Sequence, residues 1–212
     1  SAAFDWSDGR IAHIVSSVDI TENIKIQEAA KRLALYDTLT ALPNRRKLFQ
    51  DCKELIKTAS EREDHSFYTV FFDLNKFKLV NDIYGHRAGD ELLHQIGAFL
   101  LKNEYTKDIT YRYGGDEFIL LCQNHSLSRL KQVLDLIHNR FLNPWLLSNC
   151  SPTCPASIGV AHYPTDATIA DNLFHCADTA MYASKTGGGE LIHFYNQGTL
   201  LPGSEYFKRL TQ

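Results

Sequence analysis

The stretch from Ile109 to Cys122 limits this chain more than any other. Ile109 to Tyr113 reads as a strand, Gly114-Gly115 as a tight turn, and Phe118 to Cys122 as the returning strand of a β-hairpin. Two glycines in succession permit positive φ and let a ligand approach the backbone closely. The turn is followed at once by Asp116 and Glu117. In a regular strand neighbouring side chains point to opposite faces, so this pair serves one site only if the glycines relax the backbone. Adjacent carboxylates repel unless cations compensate, and Mg²⁺, which prefers hard oxygen ligands and shares them with phosphates, is the natural compensation.

The elements around the hairpin alternate. Pro43 fits the first turn of a helix through Leu48, Phe49, Cys52, Leu55 and Ile56, ended by polar residues 60–66. Phe67 to Asp73 is a buried, aromatic-rich strand, and residues 88–101 are a helix with Leu92, Leu93, Ile96, Phe99 and Leu100 on one face. A helix marked by Leu127, Leu130, Val133, Leu134, Ile137 and Phe141 follows, then a strand from Ala156 to Tyr163 and a helix from Ile169 to Lys185. Leu191 to Tyr195 closes the domain, and the turn-rich residues after it read as a linker. This order predicts a layered α/β (α+β) domain with helices against a sheet. Upstream, residues 9–18 look like a lone strand, the tail of a domain cut away. Asp19 or Thr21 caps a helix to Tyr36. Its seam of Ile26, Ala29, Leu33 and Tyr36 has two readings, packing on its own domain or pairing with a second chain as a coiled-coil connector.

Composition removes several function classes. With 22 basic and 25 acidic residues the net charge is −3, so no global basic field draws the chain to nucleic acid or anionic membrane. No apolar run reaches the roughly 20 residues that span a bilayer, and Ser1-Ala2-Ala3-Phe4 lacks the features of a secretion signal. Five cysteines at irregular spacing read as reduced thiols of a cytoplasmic domain; Cys150 and Cys154 lack the partners that complete a metal site.

Gly-Gly-Asp-Glu alone is a solvated turn. A second acidic element changes that. Asp73 ends the apolar strand, and a carboxylate at a strand end facing a carboxylate hairpin is how a two-metal phosphoryl-transfer site is assembled. Lys78 then lies close in sequence to offer a point charge to phosphate.

Phe72-Asp73-Leu74-Asn75-Lys76-Phe77-Lys78, Asn81 to His86, Gly89-Asp90 and Arg112 to Phe118 together resemble the GGDEF-domain diguanylate cyclases of bacterial signal transduction. So do Asp37 to Arg45 and Met181 to Lys185, and the resemblance covers about residues 36–195. It implies a ferredoxin-like palm sheet of the nucleotidyl cyclase type, preceded by a connector helix. It implies condensation of two GTP into cyclic di-GMP across an antiparallel homodimer, with two Mg²⁺ or Mn²⁺ per active site. Asp73, the Leu74 carbonyl and Asp116 would hold metal, Glu117 would assist, and Asp116 or Glu117 would deprotonate the 3′-hydroxyl. Asn81 and Asp90 would read guanine. Phe77, Lys78 and Lys185 would hold phosphates with His86 near the nucleotide, while Arg112, Gly114 and Gly115 support the hairpin. Residues 1–20 resemble the end of a PAS sensory domain, 21–36 its signalling helix and 37–195 the cyclase domain, with 196–212 a linker or tail.

Three positions depart from the family pattern. Asn75 stands where Asp is common, a mild change if Leu74 supplies a carbonyl. Gly189 replaces a phosphate-clamping Arg, a charge-assisted contact of roughly 1.5–3 kcal/mol. Tyr105 replaces the Arg of an Arg-x-x-Asp product site completed by Asp108, so feedback is expected to be weak. Three functional readings follow: an active cyclase, a slow GTP-binding domain that tunes a downstream EAL-type phosphodiesterase, and a product receptor, against which Tyr105 counts.

Overall fold

A computed structural model describes residues 2–5, 11–14, 19–61, 65–123, 126–186, 192–196 and 198–200, with backbone alone for the strands at 2–5, 11–14 and 198–200. The chain divides into two units, Ser1–Ala34 and Leu35–Gln212.

In the first unit β1 (Ala2–Asp5) pairs antiparallel with β2 (Ile11–Ile14), Ala2 opposite Ile14. The strand expected over 9–18 is therefore not alone. Its partner, Ala-Ala-Phe-Asp, is too short to show a period of two, and residues 15–18 lie outside the described residues. The helix α1 (Thr21–Leu35) begins where Asp19 Oδ1 accepts from the Thr21 N–H at 2.9 Å. None of its residues is buried.

The second unit carries the expected ferredoxin-like arrangement. Its elements are α2 (Arg45–Ser60), β3 (Phe67–Leu74), α3 (Phe77–Tyr84), α4 (His86–Lys102), β4 (Thr110–Gly114), β5 (Glu117–Gln123), α5 (Leu127–Phe141), β6 (Ala156–Tyr163), α6 (Ala170–Thr186) and β7 (Ile192–Phe194). A further strand, β8 (Gly198–Leu200), ends the order β4-β5-β3-β6-β7-β8. The central β3 is antiparallel to both β5 and β6, and β6 runs parallel to β7.

Alternation along β3 and β5 builds two cores. Val70, Phe72, Phe118 and Leu120 face α4 and α5 through Leu92, Ile96, Leu134 and Phe141. Phe67, Phe71, Ile119 and Leu121 face α2 and α6 through Leu48, Cys52, Leu173 and Met181. Both faces are covered, so β3 and β5 are almost continuously apolar, with Asp73 next to last in β3 and Glu117 opening β5.

Three local expectations are corrected. Pro43 lies before the helix, in a bridge with Tyr36; Asn44 is the N-cap of α2, its Oδ1 accepting from the Lys47 N–H at 3.1 Å. Residues 74–82, read as chain leading away from β3, contain α3, an eight-residue helix entered through Lys76 at φ 64°. Part of the expected tail is strand, since β8 pairs antiparallel with β7, while 201–212 lie outside the described residues.

Candidate active site

The site forms where β3 ends beside the hairpin. Asp73 is the register partner of Glu117, and the Leu74 N–H donates to the Asp116 carbonyl at 3.3 Å. The β4–β5 register shifts between Arg112 and Gly114, and Gly115 takes φ 51°. This bulge puts Asp116 and Glu117 at the strand end without forcing strict alternation on them. A Cβ built on Gly114 or Gly115 meets nothing within 4 Å, so the turn is open to a ligand.

Arg112 holds the turn from behind. It donates to the Gly115 carbonyl from Nε (3.1 Å) and Nη2 (2.7 Å), and from Nη1 to Asp37 Oδ1 at 2.8 Å. Asp37 also accepts from the Thr40 N–H and hydroxyl at 2.8 and 2.7 Å. Burial opposes ionisation of Asp37, but the Arg112 and Thr40 hydrogen bonds outweigh it and hold the carboxyl below its ordinary value. Removing the guanidinium as Arg112→Ala strands a half-buried carboxylate and frees the turn carbonyl. The expected loss is about 1–3 kcal/mol of stability, read by denaturant unfolding, with slower turnover of any substrate bound at the turn. Arg112→Lys recovers only part of it, because a point charge cannot serve two acceptors as the fork does. Unchanged unfolding in the alanine variant would remove Arg112 from the support of the hairpin.

The carboxylates burden one another. Burial raises the pKa of Asp116, and the charge of Asp73 raises it further. Burial likewise raises Glu117, followed by the charges of Asp73, Asp116 and Asp178. Lys185, in the last turn of α6, opposes both shifts and places its Nζ 2.5 Å from Asp73 Oδ1. Among the described residues no three His, Cys, Asp or Glu side chains converge on one ligating point. The donor chemistry nevertheless suits a divalent ion. Three carboxylates and the backbone of Leu74 are all hard oxygen donors, and their mutual repulsion is answered in part by Lys185, with Arg112 also opposing the shift of Asp116. Asp73, Asp116 and Leu74 are the residues able to hold it. Glu117 also lines a cavity of about 190 Å³ with Asp171, His175 and Asp178 over Phe71 and Tyr113, on the α2/α6 side.

The residues expected around a nucleotide, Lys185 apart, lie on α3 and α4. Phe77 and Lys78 begin α3, Asn81 lies in its second turn, and Gly85 alone, at φ 84°, separates it from His86 and Asp90 on α4. Lys78, His86 and Asp90 are exposed; Phe77 and Asn81 are half-buried. Gly89 is the contact between the two helices, since a Cβ there would lie 1.9 Å from Asn81 Oδ1.

The profile of the family described as diguanylate cyclase, GGDEF domain, matches residues 34–190. The chain belongs to the GGDEF diguanylate cyclase family. It is 36% identical over 173 residues to the bifunctional diguanylate cyclase/cyclic di-GMP phosphodiesterase MucR of Pseudomonas aeruginosa, covering 82% of this chain and 25% of that protein. To the cyclic di-GMP phosphodiesterase PdeR of Escherichia coli it is 36% identical over 176 residues, 82% and 26% of the two chains. To the diguanylate cyclase DgcP of the same species it is 32% identical over 179 residues, 84% and 52%. The chain thus spans from a quarter to about half the length of these relatives. The crystal structure of the GGDEF domain of YfiN from Pseudomonas aeruginosa superposes with TM-score 0.67 at 30% identity, over 75% of this chain and 99% of that one. The coiled coil and GGDEF domain of DgcB from Caulobacter crescentus, at 22% identity, shares the fold with TM-score 0.73 over 82% and 93%.

Two of the three departures from the GGDEF pattern, Asn75 and Tyr105, lie among the described residues. Asn75 is tied beneath the sheet end, its Oδ1 accepting from the Ser157 hydroxyl at 2.8 Å and its N–H donating to the Pro155 carbonyl at 2.7 Å. It is therefore engaged by β6 and its approach. Gly189 lies outside the described residues. At Tyr105 a guanidinium returns from another element, as Arg129 of α5 lies 3.8 Å from the ring centroid. Sequence reasoning missed Arg129, Asp178 and the partnership of Asp37 with Arg112. Only Asp178 carried a readable signal, seven residues before Lys185 and so on the same face of a helix.

Proposed function

We propose that this GGDEF domain condenses two GTP into cyclic di-GMP with release of two pyrophosphates, each subunit of a homodimer holding one nucleotide. The observation that carries this is the pairing of Asp73 with the Asp116-Glu117 turn across β3 and β5, beside the α3–α4 corner. Asn81 and Asp90 take the guanine edge, where a carboxylate accepting from N1–H and N2–H₂ selects guanine over adenine. The first turn of α3, with Phe77 and Lys78, receives the β- and γ-phosphates together with Lys185, and His86 lies near the nucleotide. Asp73, Asp116 and the Leu74 carbonyl hold Mg²⁺ or Mn²⁺, two ions per site with help from Glu117. When bound they neutralise the phosphates and lower the pKa of the attacking hydroxyl. Asp116 and Glu117, held above the usual carboxylate range by burial and by their neighbours' charge, are suited to accept the 3′-hydroxyl proton. Arg112 fixes the Gly115 carbonyl and so the direction in which Asp116 leaves the turn.

The chain supplies one half-site, so product requires two chains to meet. Incubation with GTP and Mg²⁺ is expected to yield cyclic di-GMP, at a rate per chain that rises with protein concentration. A rate strictly proportional to concentration across the dimerisation range would refute the half-site mechanism. A second reading is kept by the 36% identity to PdeR, a protein named as a phosphodiesterase. There the domain binds GTP and tunes an attached EAL domain, and the same incubation shows GTP bound with no product.

A further inference from the structure

Asp73 is already occupied by a cation of the chain's own. Lys185 reaches it from α6, 112 residues away in sequence, with Nζ 2.5 Å from Oδ1. The pair is asymmetric: the Asp73 side chain is 12% exposed, whereas Lys185 is 43% exposed at the end of a flexible stem. A lysine ammonium and a divalent ion cannot both sit against one carboxylate oxygen, because like charges at such spacing repel strongly. The position of Lys185 agrees with the lack of a three-carboxylate ligating point among the described residues.

We propose that Lys185 is a tethered counter-ion that bars Asp73 from taking a divalent metal until a nucleoside triphosphate draws the ammonium onto its phosphates. Metal then enters with the nucleotide and not before it. This rests on the reading of Asp73 and Asp116 as metal-holding carboxylates. The exchange is favourable only when a polyanion is present, since leaving Asp73 breaks a charge-assisted contact that a phosphate must replace. Metal and nucleotide are accordingly coupled, each raising the affinity for the other through the same lysine.

The test is a titration of Mn²⁺ into the nucleotide-free chain, following the spectroscopic signal of free Mn²⁺, for the parent, Lys185→Met, Lys185→Gln and Lys185→Arg. The two neutral variants are expected to bind Mn²⁺ on the order of tenfold more tightly than the parent, the size of one charged contact, while Lys185→Arg stays near the parent. A non-hydrolysable GTP analogue should tighten Mn²⁺ binding in the parent more than in Lys185→Met. Thermal melting of each variant establishes that it is folded, which the exposure of Lys185 favours. Equal Mn²⁺ affinity in the parent and in both neutral variants, abolished by Asp73→Asn in each, would overturn the role of Lys185 and leave the metal site standing. Absence of Mn²⁺ binding in every variant, with and without the analogue, would overturn this proposal and the metal reading together.

Discussion

Asp116→Asn is expected to abolish cyclic di-GMP synthesis and to leave the metal-free chain more stable than the parent at neutral pH. The first half follows from the loss of a metal-holding oxygen and a proton acceptor, each worth several kcal/mol at a phosphoryl-transfer site, so the rate falls on the order of a thousandfold or more. The second half follows from burial and the charge of Asp73, which raise the Asp116 pKa above 3.8, its unperturbed value. A carboxyl raised in the folded state binds its proton more tightly there than in the unfolded chain. Its favourable contribution is full below about 3.8 and is lost as pH rises through the folded value. At neutral pH the ionised group therefore opposes folding, and a neutral amide of the same shape relieves it. The gain in Tm should shrink as the pH is lowered toward 3.8. Equal or lower stability of Asp116→Asn at neutral pH, measured in the presence of a chelator, would contradict the charge crowding ascribed to this turn. Glu117→Gln should behave alike, since burial and the same neighbours raise Glu117.

Such a strained acidic turn was visible in the sequence only in part. The β3 and β5 strands were legible because two covered faces make them nearly all apolar, and a carboxylate at the end of such a run stands out. The helices α2, α4, α5 and α6 carried their own periodicity. The α3 helix did not: with eight residues, one buried side chain and no side-chain cap, it is too short to show a period and is set by its packing against α4. The strand β8 has three residues and is recruited by the free edge of β7, which no local pattern announces. At the site, the resemblance named Asp73, Asp116 and Lys185 one by one, yet nothing in the spacing says that Lys185 comes to rest on Asp73. Asp37 and Arg112 are 75 residues apart, and their ion pair likewise exists only once α2 and the hairpin have packed. Contacts between distant segments are what a one-dimensional pattern leaves out.

The α3–α4 corner yields the other large effect. Gly89→Ala is expected to reduce kcat/KM for GTP by roughly a hundredfold, the size of two or so charged or polar contacts to a base, with the fold intact. Gly89 is helical with no positive φ, so the backbone accepts alanine and helix propensity favours it by about 0.5–1 kcal/mol. The new methyl instead meets Asn81, at 1.9 Å from Oδ1 and 2.9 Å from Cγ, and Phe77 at 3.2 Å. Asn81 is the end of a flexible side chain and gives way, so stability is kept and its amide leaves the place where the proposed reading has it meet guanine. Discrimination of GTP from ATP should narrow in parallel, as a donor–acceptor pattern on the base goes unread. The double variant Asn81→Ala, Gly89→Ala separates this account from general damage. If the methyl acts through Asn81, the pair loses no more than Asn81→Ala alone. Additive losses, or a parental KM for GTP in Gly89→Ala, would show that the methyl does not act through Asn81, whereas parental kcat/KM and parental GTP/ATP discrimination in Asn81→Ala alone would move the specificity of the site onto Asp90.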